Sequence, residues 1–205
     1  MKWIAPNACV FCGMRVAEDA VPICAGCDAD LPRVPQALVL PEPPLHFMVA
    51  PLAYDFPVNA AIKAWKFRRR LDYTTAFVSL VSDALACLPE KPDAFLAAPL
   101  HWRRQALRGF NQAGELATPL GRMFGIPVIK NVVRVRHTPS QSGLGAAERQ
   151  RNLRTAFRVR GRIKEKHVVI ADDVVTTGAT VAQIGKVLLS AGAEKVSVLA
   201  IARAL

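Results

Sequence analysis

The sequence predicts an α/β fold: a largely parallel sheet flanked by helices, with a small cysteine-rich module in front of it. Three observations predict it. Apolar stretches of strand length, such as "HVVIA" (167–171) and "KVSVLAIA" (195–202), alternate with segments of helical pattern. Those stretches are apolar at nearly every residue, as in parallel strands covered on both faces. Four of the five cysteines crowd into the first 27 residues, and a proline-rich stretch divides them from the rest.

The N-terminal module is expected over residues 1–32. "CVFCGMRVAEDAVPICAGC" holds Cys9-x-x-Cys12 and Cys24-x-x-Cys27, with eleven residues between the pairs. That spacing matches a four-cysteine zinc knuckle or ribbon. Gly13 follows one pair and Gly26 sits inside the other, where tight turns bring backbone amides to thiolate sulfurs. A redox motif would need one pair only. The start, "MKWIAPNACVFCG", has no apolar h-region, so a cytoplasmic location is expected, and disulfides are disfavoured there. Cys9, Cys12, Cys24 and Cys27 are thus expected to hold a structural Zn2+, a closed site without an open position for chemistry. Cys87 lies in an apolar helical stretch and reads as a buried, inert thiol. A linker or extended strap is expected over 33–46, since five prolines between Pro32 and Pro44 sustain neither a helix nor a central strand.

The main domain is expected over 47–205. It opens with a strand at 47–54, followed by helices at 57–70 and 72–88. "AFLAAPL" (94–100) reads as a strand. A helix over 111–124 has Asn111 as its N-cap and Gly125 as its stop. "PVIKNVVRV" (127–135) reads as a strand, 144–153 as a helix and "TAFRV" (155–159) as a strand. The strand at 167–171, a helix over 178–191 stopped by Gly192, and a strand over 195–202 complete the order. No apolar run reaches the roughly 18–20 residues of a membrane span, so no membrane insertion is expected.

The formal net charge is +11, and arginines cluster at 68–70, 103–108 and 149–162. This balance points to polyanions, either nucleic acid or phosphorylated small molecules. The plainer alternative is a solvated basic surface. Lys66, Arg68, Arg69 and Arg108 are the nucleic-acid candidates. Trp65, Phe67, Trp102 and Phe110 interleave with them, as aromatics do in single-strand binding, although Trp65 and Phe110 read better as core anchors.

"VVIADDVVTTGAT" (168–180) carries the chemistry. In a parallel sheet, ligands bind at the carboxyl ends of strands, and Asp172 and Asp173 stand at such an end. The following loop opens a helix whose free amides suit a phosphate. Gly178 lets the backbone approach, and Thr177 and Thr180 add hydroxyl donors. Two carboxylates suit a sugar diol or a hydrated Mg2+ rather than a phosphate. The segment therefore reads as one device for a phosphorylated sugar. It is not a P-loop, because no G-x-x-x-x-G-K-[ST] occurs in the chain.

The segment resembles the 5-phosphoribosyl 1-pyrophosphate (PRPP) loop of type I phosphoribosyltransferases. Together with "AIKAWKFRRR" (61–70), "APLHWRRQALRGFNQAGELA" (98–117), "RVRHTPSQSGLGAAERQRNLRTAF" (134–157) and the cysteine module, it makes the chain resemble the ComF family, also called ComFC or GntX-like proteins, over nearly its whole length. The resemblance implies a type I phosphoribosyltransferase-like domain joined to a zinc module, with Mg2+ accompanying PRPP. It implies a role in natural transformation, where imported single-stranded DNA is handled, or in the use of DNA as a nutrient. By the same resemblance Asp172 and Asp173 bind the ribose, and Thr176, Thr177, Gly178, Ala179 and Thr180 bind the 5′-phosphate. Pro99, Leu100 and His101, with Arg103 and Arg104, fall at the pyrophosphate loop. There the family pattern Pro-Val-Pro-Leu-His has Ala97 and Ala98 in its first two places. Arg136, Gln141, Arg149 and Asn152 fall on the loop that closes over the reaction. Purine-salvage enzymes carry an aspartate where this chain has Thr176, which has no carboxylate for acid–base work, so purine salvage by that route is not expected.

Three readings follow. The first is a PRPP-binding competence protein that handles single-stranded DNA. The second is an active phosphoribosyltransferase acting on a nitrogen nucleophile. The third is a non-catalytic adaptor for a helicase or another DNA-processing protein.

Overall fold

A computed structural model describes residues 8–17, 20–41, 43–86, 88, 90–135 and 156–205. Strands β8 (His167–Val175) and β9 (Lys195–Arg203) form its centre, paired in parallel along their length. Val168, Val169, Ile170, Val198, Ala200 and Ile201 in these strands are completely buried. β4 (Ala94–Ala97) flanks β8, and β5 (Val128–Ile129) flanks β4, both in parallel. On the other side β2 (Met48–Val49) and β3 (Leu52–Ala53) pair in parallel with β9. β1 (Leu38–Val39) adds an antiparallel edge to β2, so part of the proline-rich stretch is extended and joins the sheet. Among the described residues the strand order is β1-β2-β9-β8-β4-β5.

Alternation along β8 decides what covers each face. Val168 and Ile170 pack with Val181, Ile184 and Leu188 of α6 (Ala179–Ser190). Val169 and Ala171 pack with α2 (Val58–Arg68), α3 (Tyr73–Leu85) and α5 (Gln112–Phe124), through Ile62, Trp65, Phe77, Val81, Leu116 and Leu120. The largely parallel, doubly covered sheet expected from sequence is therefore present. Asn111 caps α5 by accepting the Ala113 N–H at 3.2 Å, and Gly125 closes it.

Four elements depart from the expectation. The strand at 47–54 is two strands, because Pro51 has no N–H for the ladder and the Ala50 N–H turns away to Ala37 O at 2.9 Å. The strand at 127–135 is also two: β5 stays in the main sheet, and β6 (Val132–Arg134) leaves it to form an antiparallel ribbon with β7 (Phe157–Val159). A helix, α4 (Trp102–Arg108), follows β4. β8 continues past residue 171 to Val175 because β9 runs beside it as far as Arg203.

The cysteine module, with α1 (Ala25–Ala29), packs onto the main domain. Val10 and Leu31 enter the core beside α2 and α3, and the Phe11 ring meets Tyr73 edge-on at 5.7 Å. Among the described residues no helix is long and apolar enough to cross a membrane. The helix expected over 144–153 and Cys87 lie outside the described residues.

Candidate functional site

β4 ends opposite Ala171, whereas β8 runs on beside β9. This stagger leaves Asp172 and Asp173 beyond the end of one neighbour while the other still holds their backbone. A cavity of about 160 Å³ opens there, lined by both aspartates, by Lys66, Ala98, Pro99, Leu100, Arg108, Asn111, Gln112, Ala113 and Arg134, and by Thr180. Each carboxylate accepts the next backbone N–H: Asp173 N–H to Asp172 Oδ1 at 2.9 Å, and Val174 N–H to Asp173 Oδ1 at 2.7 Å.

Opposite charge meets the acids from two distant elements. Lys66 on α2 lies 2.5 Å from Asp173 Oδ2, and both side chains are largely buried. Burial pushes the Asp172 carboxyl up to about 6, against the pull of the positive charges of Lys66 and then Arg134.

The wall across from the acids supplies donors. Asn111 Nδ2 donates to Ala98 O at 3.1 Å and ties the start of α5 to the loop after β4. Arg108 donates to Gln112 Oε1 at 3.1 Å, and its guanidinium sits over the Phe67 ring at 5.0 Å. That bond leaves the Gln112 amide nitrogen, in a residue 2% exposed, as a buried donor at the cavity wall without a hydrogen-bond partner among the described residues. A buried orphan donor is costly unless a ligand or water satisfies it.

The loop after β8 forms a second, smaller cradle of about 50 Å³, lined by Asp172 and by Val174 through Val181. Gly178 adopts φ 69°, a left-handed conformation that other residues resist, and no side chain caps α6 at that position. Thr177 Oγ1 accepts the Ala179 N–H only at 3.4 Å. The amides at the start of α6 are thus available to an anion. Asp172 lines both spaces, so a ligand with an anionic group and a hydroxylated ring fits across them.

The residues singled out from sequence divide into groups. Asp172, Asp173, Thr180, Pro99, Leu100, Lys66 and Arg108 meet at the cavity, while Thr176, Thr177, Gly178 and Ala179 form the cradle. His101 is buried and caps α4, its Nδ1 accepting the Arg103 N–H at 3.3 Å. Arg103 is exposed and stacks on Trp102 at 5.3 Å, and Arg104 lies on α4. Arg68 is exposed on the last turn of α2. Arg69 ends that helix with φ 54° and lays its guanidinium against Gly109, where a Cβ would come within 2.4 Å of it. Arg136, Gln141, Arg149 and Asn152 lie outside the described residues. Sequence reasoning missed Gln112 and Arg134 as cavity residues. The signals for them were the residue after a capping Asn111 and the first arginine of "RVRHT".

The four cysteines form a separate centre. Cys9, Cys12, Cys24 and Cys27 place their sulfurs within 4.8 Å of one another, and Cys12 and Cys24 are 3.6 Å apart. A tetrahedral ion with metal–sulfur bonds of about 2.3 Å needs sulfurs about 3.8 Å apart, whereas a disulfide needs about 2.05 Å. The donor set therefore fits a thiolate-bound metal ion. Burial raises the Cys9 thiol, but backbone amides of Cys24, Cys12 and Phe11 outweigh it and bring the group down to about 6. An amide-stabilised thiolate is the form a metal requires.

Known proteins resemble the chain over different spans. The family model "Phosphoribosyl transferase domain" matches residues 106–204, which include β8, the acidic pair and the loop. The chain is 35% identical over 206 residues to the DNA utilization protein YhgH of Salmonella typhi, covering 96% of this chain and 90% of that protein. It is 35% identical over 214 residues to Competence protein F of Haemophilus influenzae, covering 98% and 93% respectively. Among solved structures, adenine phosphoribosyltransferase from Leishmania tarentolae superposes with a TM-score of 0.43 at 13% identity, covering 78% of this chain and 77% of that one.

Proposed function

The chain belongs to the ComF family of competence and DNA-utilization proteins, and from that premise we propose that it binds PRPP at the acidic pair while handling single-stranded DNA. One observation carries the PRPP reading. A single continuous site joins an anion cradle at the start of α6 to two carboxylates and to a buried, unsatisfied amide donor on α5. The 5′-phosphate takes the amides and hydroxyls of Thr176–Thr180. The ribose diol donates to Asp172 and Asp173, whose carboxylate oxygens, when ionised, only accept. The pyrophosphate faces the loop at Pro99 and Leu100, where Gln112, Arg108 and Arg134 offer donors.

Mg2+ arriving with PRPP would spread the pyrophosphate charge and add an oxygen-coordinated cation beside the aspartates. The residues present fit it, since among the described residues both acids line the cavity and offer it carboxylate oxygens. Zn2+ is the ion we assign to the cysteines, because a closed set of four thiolates at these separations suits it. Its role is architectural, holding Val10 and Phe11 against α3.

Calorimetric titration of Mg2+–PRPP into the zinc-loaded protein tests the reading, beside Asp172→Ala/Asp173→Ala. We expect binding by the first protein and none by the second. No heat from the unaltered protein would overturn the PRPP reading.

A further inference from the structure

A larger groove of about 870 Å³ lies between α4, the start of α5, β5 and β6. It shares Pro99, Leu100, Asn111 and Arg134 with the cavity at the acidic pair, so the two spaces meet along one wall. Apolar side chains including Leu96, Val128, Ile129 and Val132 line it. Among the described residues its charged lining is Lys130, Arg134 and Arg160 against Glu115. Trp102 stands at the α4 end, 65% exposed, with the Arg103 guanidinium stacked on its ring. Phe110 is half-buried beside it.

This combination selects its ligand. An exposed indole in a groove with spaced cations matches a chain of bases and phosphates, whose bases stack without regard to sequence. A duplex would hide those bases in its own stack. A second copy of this chain would set the same cations against one another. We propose that the groove is a track for single-stranded nucleic acid, with Trp102 as a stacking platform and Lys130 and Arg160 on the phosphates, and that a strand in it competes with PRPP at the shared wall.

Arg134 makes the competition. It lines both spaces, and its charge acts on Asp172. A phosphate of the strand and the pyrophosphate of PRPP then call on the same guanidinium, and two anions there repel each other. Each ligand weakens the other by the same factor, as linkage requires. The competition rests on the PRPP reading above, and the track on the single-strand reading alone.

The test follows fluorescence anisotropy of a labelled oligothymidylate with the zinc-loaded protein. Trp102→Ala is expected to weaken binding about tenfold, the value of one lost stacking contact. Lys130→Gln/Arg160→Gln is expected to lower the salt dependence by about 1.4 in the log–log slope, two phosphate contacts of a single strand. Saturating Mg2+–PRPP is expected to weaken the strand for the unaltered protein but not for Asp172→Asn/Asp173→Asn. All three groove residues are exposed, and thermal melts of each variant check that the fold is kept. Unchanged strand affinity in both groove variants overturns the track. So does a dimer, seen by sedimentation, that Trp102→Ala dissolves in a protein that binds no strand. PRPP that binds by calorimetry yet leaves strand affinity unmoved overturns the competition. If PRPP itself fails to bind, the PRPP reading falls with the competition, and the track is judged on the groove variants alone.

Discussion

Lys66 pairs with the buried Asp173, and its removal should register in stability. Its Nζ lies 2.5 Å from Asp173 Oδ2, with only 19% and 11% of the two side chains exposed. At that distance the attraction is about 7 kcal/mol for an effective dielectric of about 20, and desolvation of the two ions offsets most of it. Exposed pairs net about 1 kcal/mol or less. Removing one partner of a fully buried pair costs about 3–5 kcal/mol, because a bare charge stays behind. Between these limits, and nearer the buried one, Lys66→Met should cost about 2–3 kcal/mol at neutral pH. Methionine keeps the packing of the stem, so the loss isolates the charge. Adding Asp173→Asn should return most of the stability, since the asparagine oxygen can still accept the Val174 N–H that Asp173 accepts. Urea unfolding of the four proteins in zinc-containing buffer gives the coupling energy, expected at about 1.5 kcal/mol or more. A coupling below about 0.5 kcal/mol, the noise of additivity, would mean that Lys66 and Asp173 do not stabilise one another and would return Lys66 to the solvent-facing cations.

Two further outcomes follow from the other centres. Stripping the cysteine site with a strong chelator, or Cys12→Ser, should lower the thermal midpoint of the whole chain, because Val10, Leu31 and Phe11 share a core with α3. Metal analysis should find about one Zn2+ per chain, and an unshifted midpoint after its removal would contradict the shared core. In pH titrations of stability, Asp172 and His167 should act with opposite signs. Asp172 is raised from 3.8 to about 6 by burial, so the folded chain binds its proton more tightly, and stability is lost as pH rises from the lower value through the upper. Asp172→Asn should remove that loss and raise the midpoint at pH 8. His167, buried against Ser197 at 2.9 Å and near Glu90, His46, Lys195 and Asp93, is lowered below its ordinary 6.5, chiefly by burial. Its contribution is complete above that value and lost as pH falls below it. His167→Gln should flatten this acid limb; an unchanged limb would assign it elsewhere.

What could be read from the sequence was local, and what was missed was long-range. The loop from Asp172 to Thr180 is one strand–turn–helix whose chemistry lies in adjacent residues, and the cysteine pairs and the Asn111 cap are equally compact. The reach of β8 to Val175 was not legible there, because it depends on β9 running alongside to Arg203 while β4 stops at Ala97. α4 was missed because its seven residues carry no buried apolar stripe; Trp102 and Leu107 are both exposed on it. The same logic explains the cations. Counting arginines placed Lys66 among residues for nucleic acid, but a charge count ignores which carboxylate a helix brings within reach. α2 crosses the face of the sheet that carries Asp173, so Lys66 is used internally, and Arg108 is held by Phe67 and Gln112. Lys130 and Arg160 instead line the groove that also holds Trp102. An excess of +11 therefore does not describe one uniform surface. Part of it holds the site's own acids and wall, and the part facing the groove lies along the wall that the groove shares with the cavity at the acidic pair.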